Sequence, residues 1–480
     1  IAYTDHFLAQ AIGWLQQRRA RGASQPASSA GLHYELLEPR LLLSADLVGG
    51  SLSHDAFPSA VPSDAISAHF TVYRPDSEPL GKPVRTQFYA SADSLLDAGD
   101  TRVGQTDIAA DRLNPGSNAI TVSLDARAIG QPGRYTLIGV VDPDNAIAES
   151  DETNNQSIAS SPLTLDFAVG QLPGRSPVPS LDLSDADGTR FTLTIAGPGL
   201  ARLTPNGTGY DLNLSGTDAG TRIELAGSGG DGRITLTGLN ADSPLGSLVA
   251  PVASLTGAAR FGTVNSLNLG DIAAGARLEG NSLANLNVSR DALGDLRLTG
   301  GGVSGFVLGA TQVGGAIAGL WTINGRANSI SGESTRADWR ANISSPLTQL
   351  VIRGDASGQF AASALQLLQV GGSLKAMTVR IGANLGSDAV IGGSGDAADH
   401  FGAGTLARLR VSGNIDDSLI VIGVDPNNGR YRDGDDRQLG TSTNRVQELL
   451  VGGRLTGDTQ ISAPAFPASV RINGVLRSPA

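Results

Sequence analysis

One pattern recurs through the C-terminal half of the chain and constrains its fold more than any other feature. Residues 367–374 read LLQVGGSL, 406–415 read LARLRVSGNI and 446–455 read VQELLVGGRL. The shared template is an apolar residue, two spacers, Leu, any residue, Val, Ile or Leu, any residue, Gly, any residue, then Leu or Ile. Weaker copies centre on Leu269, Val288, Ile323, Ile352 and Ile472, and the shortest spacings between centres are 18 to 21 residues. That length suits one turn of a β-solenoid, made of two or three short strands and their corners. Alternation sets Leu409 and Val411 on one face of a strand, and Gly413 turns the corner. One such unit cannot bury its own face, so stability must come from stacking each unit on the next. Leucine-rich repeats are the rival reading of this period, but they need a convex segment and an Asn or Cys at a fixed place, and neither recurs. Two intervals are about twice as long, because Gly- and Asp-rich loops are inserted at 382–405 and 423–444. The expectation for 181–480 is a right-handed parallel β-solenoid (β-helix) carrying those two insertions.

Composition agrees with an all-β chain. Glycine reaches 63 residues while aromatics make up only 4%. Glycine enters tight turns with positive φ at no steric cost. Cysteine is absent, which removes disulfides, thiolate metal sites and cysteine nucleophiles. The formal net charge of -11 disfavours nucleic acid as a partner. No apolar stretch reaches the roughly 20 residues needed for a transmembrane helix. The chain opens on Ile1 and its single methionine is Met377, so it reads as part of a larger chain.

Upstream of the repeats, residues 64–168 read as a β-sandwich. Ile66, Ala68, Phe70 and Val72 alternate with polar neighbours. The same alternation returns at Val84, Thr86, Phe88 and Ala90, at Ile120, Val122 and Leu124, and at Tyr135, Leu137, Gly139 and Val141. Turn chemistry separates these runs at 97–100, 114–116 and 131–133. About seven such strands in roughly 100 residues fit an immunoglobulin-like sandwich. A Pro-, Gly- and Ser-rich stretch makes 169–180 the expected linker. Residues 1–63 read as a largely disordered leader. A short helix there would carry His6, Phe7, Ala11, Trp14 and Leu15, with Arg18, Arg19 and Arg21 behind it.

Two stretches resemble known families. Leu37, Glu38, Pro39, Arg40, Leu42 and Leu43 form a run similar to the LEPR-xLL motif near the N-termini of large bacterial surface and secreted proteins. That resemblance implies an extracellular or cell-surface destination in a bacterium. Residues 133–137, 141–145 and 149–155, with 91–93 and 97–100 earlier, resemble the CARDB module, a cell-adhesion-related sandwich of bacteria and archaea. Within its most specific part, 142–155, two readings stand. The carboxylates and amides cap backbone N–H groups in a hairpin, or Asp142, Asp144, Glu149 or Asp151 hold Ca²⁺.

The second insertion offers a sharper metal candidate. Asp425, Asn427, Asp433 and Asp436 fall at places 1, 3, 9 and 12 of a Ca²⁺ loop, with the Tyr431 carbonyl at place 7. Arg430 occupies the place that glycine should take, and no Glu closes the loop, so a solvated acidic turn is the competing reading. The glycine run 227–232 fits a dinucleotide fingerprint by spacing, but a strand follows it instead of the required helix. His6, His33, His54, His69 and His400 are scattered without ligand spacing. Asp416 and Asp417 are adjacent, so a strand would point them to opposite faces and leave no dyad. Arg408 and Arg410 could line an outer groove or keep a face soluble. The expected function is a non-catalytic structural or adhesive protein. Its sandwich is a spacer or binding module, its solenoid a rigid platform, and its partner an extracellular polysaccharide or protein. Catalytic residues and cofactors other than Ca²⁺ are not expected. The alternative is a carbohydrate-active β-solenoid enzyme, a polysaccharide lyase or hydrolase.

Overall fold

The structure is a computed structural model that describes residues 45–477, apart from 57–58, 185–186, 302–304 and 468–469. The leader helix and the LEPR-xLL-like run therefore lie outside the described residues. Strands dominate the rest, and no α-helix occurs among the described residues.

The sandwich is built from β1 (Val48–His54), β2 (Ile66–Arg74), β3 (Val84–Ser91), β4 (Thr101–Ile108), β5 (Gly116–Leu124), β6 (Gly133–Val141), β7 (Gln156–Ile158) and β8 (Leu163–Leu165). One sheet has the order β1-β2-β5 and the other β4-β3-β6-β7, with β8 also pairing β6. The period-2 pattern sets the faces as expected: Ile66, Ala68, Phe70 and Val72 are all buried. Phe70 and Phe88 meet edge to face, with ring centroids 5.5 Å apart. Gly139 makes that packing possible, because a Cβ there would sit 3.3 Å from both rings.

β1 corrects the expected leader boundary. Residues 48–54 pair antiparallel with β2, through Leu52↔Phe70 and His54↔Ala68. Its sequence, VGGSLSH, offers one large apolar residue inside the sheet, Leu52, so alternation could not reveal it. The expected linker is also structured. Ala168–Gly170 pairs antiparallel with Leu200–Asn206. Gly170 and Val178 exchange two backbone hydrogen bonds, 2.6 and 3.0 Å long. Val169, Leu172 and Val178 are buried, and one continuous apolar core runs from Ala45 to Val470.

A large sheet follows, in which parallel pairing does not begin at residue 181. Ser180–Ser184 and Arg222–Ser228 pair antiparallel with Arg190–Ala196, and Leu200–Asn206 with Gly209–Ser215. Gly207, at φ 62°, opens the two-residue turn between the last pair and makes it a hairpin. Parallel pairing starts where Tyr210 meets Leu236 and Arg222 meets Ser247. From there each segment pairs with the one before and the one after. One column runs Leu269, Val288, Val313 and on through Ile352, Val370, Val411 and Val451 to Ile472. A second face carries its own column: Leu298, Ile323, Ile343, Ala362, Ile381 and Ile422. Ile323, expected in the first column, belongs to this second one, because both faces use the same apolar alternation. Trp321, Trp339 and Phe360 fill the interior behind it, with centroids 6.3 and 6.1 Å apart. Val470–Ile472 folds back on Val475–Arg477 over the Asn473-Gly474 turn, both residues at positive φ. The chain is thus all-β, an immunoglobulin-like sandwich followed by a large parallel-strand sheet of the kind a β-solenoid requires.

Candidate functional site

Three places gather chemistry-bearing side chains. The first is the β6–β7 connection, residues 142–155. Asp142 adopts φ 42° and is buried. Its carboxylate accepts hydrogen bonds from the backbone N–H of Ala146 (3.0 Å) and Ile147 (2.7 Å). Asp144 pairs with Arg85 at 2.8 Å. The Thr153 hydroxyl and N–H both donate to Asp151 and hold its pKa below the usual range. Glu149 reaches across the domain: Leu47 N–H donates to it at 2.7 Å and Asn155 at 3.2 Å. Burial lifts its pKa to about 7, with Glu152 and Asp142 adding to the rise. Ser150 N–H donates to the Ala45 carbonyl, and Asn154 donates to Asp46. The loop therefore ties residues 45–47, which directly follow the LEPR-xLL-like run, to the sandwich. Asp142, Asp144, Glu149 and Asp151, the four expected Ca²⁺ ligands, each face a different partner.

The second place is formed by the two insertions. The first is closed by Ala383–Asn384 pairing with His400–Phe401, the second by Val424–Asp425 pairing with Arg437–Gln438. Arg380, on the strand that leads into the first insertion, lies beneath both. Its guanidinium sits 5.8 Å from the centroid of the Tyr431 ring and donates to Gln359 at 3.1 Å. Burial lowers its pKa against the pull of Tyr431 and Asp399. Burial likewise raises Asp399, and pushes the Tyr431 phenol up to about 12. Arg380 Nε, Asp399 Oδ1, the Tyr431 hydroxyl and Asp436 Oδ1 are buried and find no hydrogen-bond partner among the described residues. Such groups take up water or a ligand. Neither Arg380 nor Asp399 was singled out from the sequence. Their role depends on two loops meeting above one strand, which no local pattern encodes.

The expected Ca²⁺ loop comes together only in part. Asp433, Asp435 and Asp436 place one ligand oxygen each within 4.8 Å of one another, the one such trio among the described residues. Asp435 was missed because it lies off the loop spacing. Contact between Asp433 and Asp435 lowers the first and raises the second. Asp425 instead accepts from Asn427 N–H at 3.0 Å, closing a local turn. Asn428 donates to Asp433 at 2.7 Å, and Arg432 N–H to Asp436 at 2.8 Å. Asp425 and Asn427 thus stand outside the trio, and the Tyr431 side chain faces Arg380.

The remaining sequence candidates are corner and surface groups. Thr456 donates to Asp416 at 2.7 Å and Asp458 N–H to Asp417 at 2.8 Å, each bond linking neighbouring segments of the ladder. Asp417 turns a corner at φ 47°. Arg410 makes a two-pronged pair with Glu448, both bonds 2.9 Å. The run 227–232 leads into the strand Ile234–Ala241.

Fold and sites together define an all-β chain with a sandwich whose β6–β7 loop is held by the buried Asp142. Residues 82–159 match the CARDB family, so the chain carries a CARDB domain there. Among solved structures, a CARDB domain from Pyrococcus furiosus in complex with di-metal ions is 15% identical. The match covers 25% of this chain and 94% of that one, at a TM-score of 0.19. A solution NMR structure of a CARDB domain from the same organism is 14% identical, with 25% and 95% coverage and a TM-score of 0.18. No curated protein matches.

Proposed function

We propose that the chain is a structural or adhesive component of the bacterial exterior and acts without catalysis. Its CARDB domain is of a cell-adhesion-related kind, which is consistent with a surface or structural role. In this reading the parallel ladder is a β-solenoid that serves as a stiff platform. The observation that carries the reading is the apolar column that runs from Leu269 to Val313 and, beyond Gly332, from Ile352 to Ile472. Its long intervals fall at the two insertions, so a packed support holds out two loops, and loops on rigid scaffolds commonly bear function. Arg380 meets Asp399 of the first insertion and Tyr431 of the second, which suits holding the loops in place. Partners are polysaccharides or proteins outside the cell. Ca²⁺ is the cation that the Asp433, Asp435 and Asp436 oxygens suit.

The test has two arms. Cell fractionation with an antibody to the chain should recover it in the medium or envelope. Recovery in the cytosol alone refutes the proposal. Purified chain incubated with acidic and neutral polysaccharides should leave their lengths unchanged. Release of shorter saccharides supports the alternative, a carbohydrate-active enzyme.

A further inference from the structure

A groove of about 350 Å³ lies between the second face of the ladder and the first insertion. Three successive segments form its floor. Arg297, Thr322 and Asn342 occupy matching register positions, one per segment. Thr299, Asn324 and Ser344 form a second row beside them, with Ser344 donating to Asn324 at 3.1 Å. The apolar neighbours Leu298 and Ile323 are buried, so their side chains leave the floor polar. Ser387, Asp396 and His400 of the insertion supply the wall.

The wall is fixed. Asn342, only 3% exposed, donates to Asn384 at 2.9 Å and to the Gly386 carbonyl at 2.7 Å, and accepts from Leu385 N–H at 3.0 Å. One buried side chain thus holds the insertion at a set distance from the floor. A ligand entering this groove has little ordering of protein to offset.

The charge on the floor is conspicuous by comparison with its neighbours. Arg260 pairs with Glu279 at 3.3 Å, and Arg277 with Asp295 at 3.8 Å, each across adjacent segments. Arg297 follows Glu279 in register, but Glu279 turns back to Arg260, and the next residue in the row is the neutral Thr322. The Arg297 guanidinium makes no ion pair and no hydrogen bond among the described residues. A planar guanidinium with free donors matches a carboxylate two-pronged.

We infer that this groove binds a linear polysaccharide in which carboxylate-bearing rings are separated by neutral ones. The inference rests on the exterior, non-catalytic reading above and names the ligand class. Neighbouring segments of such a ladder stand about 4.8 Å apart, close to the length of one sugar ring. A sugar chain lying along the ladder therefore presents a new ring to each segment. Arg297 takes a carboxylate. Thr322, Asn324 and Ser344 exchange hydrogen bonds with ring hydroxyls, and Asp396 accepts from them. With one cation to three segments, and a chain of net charge -11 around it, a polymer charged at every ring is repelled.

The experiment is calorimetric titration of the full chain with three hexasaccharides: hyaluronan, acidic at every second ring, hexagalacturonate, acidic at every ring, and cellohexaose, neutral throughout. Hyaluronan hexasaccharide should bind tightest. Arg297→Gln should weaken it about tenfold and remove its salt dependence. Arg408→Gln, on the other face of the ladder, should leave it unchanged. Absence of heat with all three, or equal affinity in Arg297→Gln, overturns the groove. So does tightest binding of either other sugar. Failure of the groove leaves the fractionation result untouched, and a cytosolic chain that binds through Arg297 would remove the exterior reading alone.

Discussion

Glu149 is a residue whose ionisation works against the fold. Its folded pKa, about 7, lies above the ordinary value of 4.5. The folded chain therefore holds a proton there that the unfolded chain has released. Stability from this group is fully present below pH 4.5 and is lost as the pH rises towards 7. The carboxylate is half-exposed, so solvent screening leaves about 1 kcal/mol of effect. Glu149→Gln keeps an acceptor for Leu47 N–H and removes the titration. Urea midpoints measured from pH 4.5 to 8 should fall for the wild type more steeply than for the variant. Parallel curves would show that Glu149 titrates normally. The consequence is local: protonation state decides how firmly residues 45–47 are held against the sandwich.

At the scale of elements, legibility followed repetition. The alignment of Leu368, Leu409 and Leu449 in the sequence is the pairing the ladder adopts. The Leu-x-Val alternation with a following Gly is long enough there to fix both face and corner. It failed in the middle of the ladder, where Thr311, Gly332 and Ala327 fill inward positions without apolar bulk. β1 was hidden for the same reason. The insertions were legible as loops and illegible as a site, because Arg380, Asp399 and Tyr431 are brought together by packing between segments far apart in sequence. The acidic turn shows both sides: its carboxylates were visible, and its true trio, with Asp435, was not. Calorimetry with Ca²⁺ should give binding to the wild type in the range of extracellular modules, roughly 10⁻⁴–10⁻³ M. Asp433→Ala/Asp435→Ala should abolish it, while Asp425→Ala should leave it intact. Loss in Asp425→Ala would restore the twelve-residue loop, and no heat in the wild type would end the Ca²⁺ proposal.

At the scale of the whole molecule, the stacking of segments makes stability depend on position along the ladder. Leu350 is fully buried, with Ile330 stacked on one side and Leu368 on the other. The closing hairpin has a neighbour on one side, and Leu476 is 61% exposed. A continuous core lets each segment protect the next, so opening should start at the C-terminal hairpin and reach Leu350 last. The other end is covered by the antiparallel strands and the sandwich, which share that core. Leu350→Ala removes side-chain atoms with no room to relax and should cost about 2–5 kcal/mol. Leu476→Ala should stay within about 0.5 kcal/mol. Denaturant unfolding measures both. Hydrogen exchange should show amides of Leu347–Ile352 exchanging far more slowly than those of Val470–Ile472. Uniform protection along the ladder, or equal costs at Leu350 and Leu476, would mean that the segments do not derive their stability from one another, and a stiff platform could not be built from them.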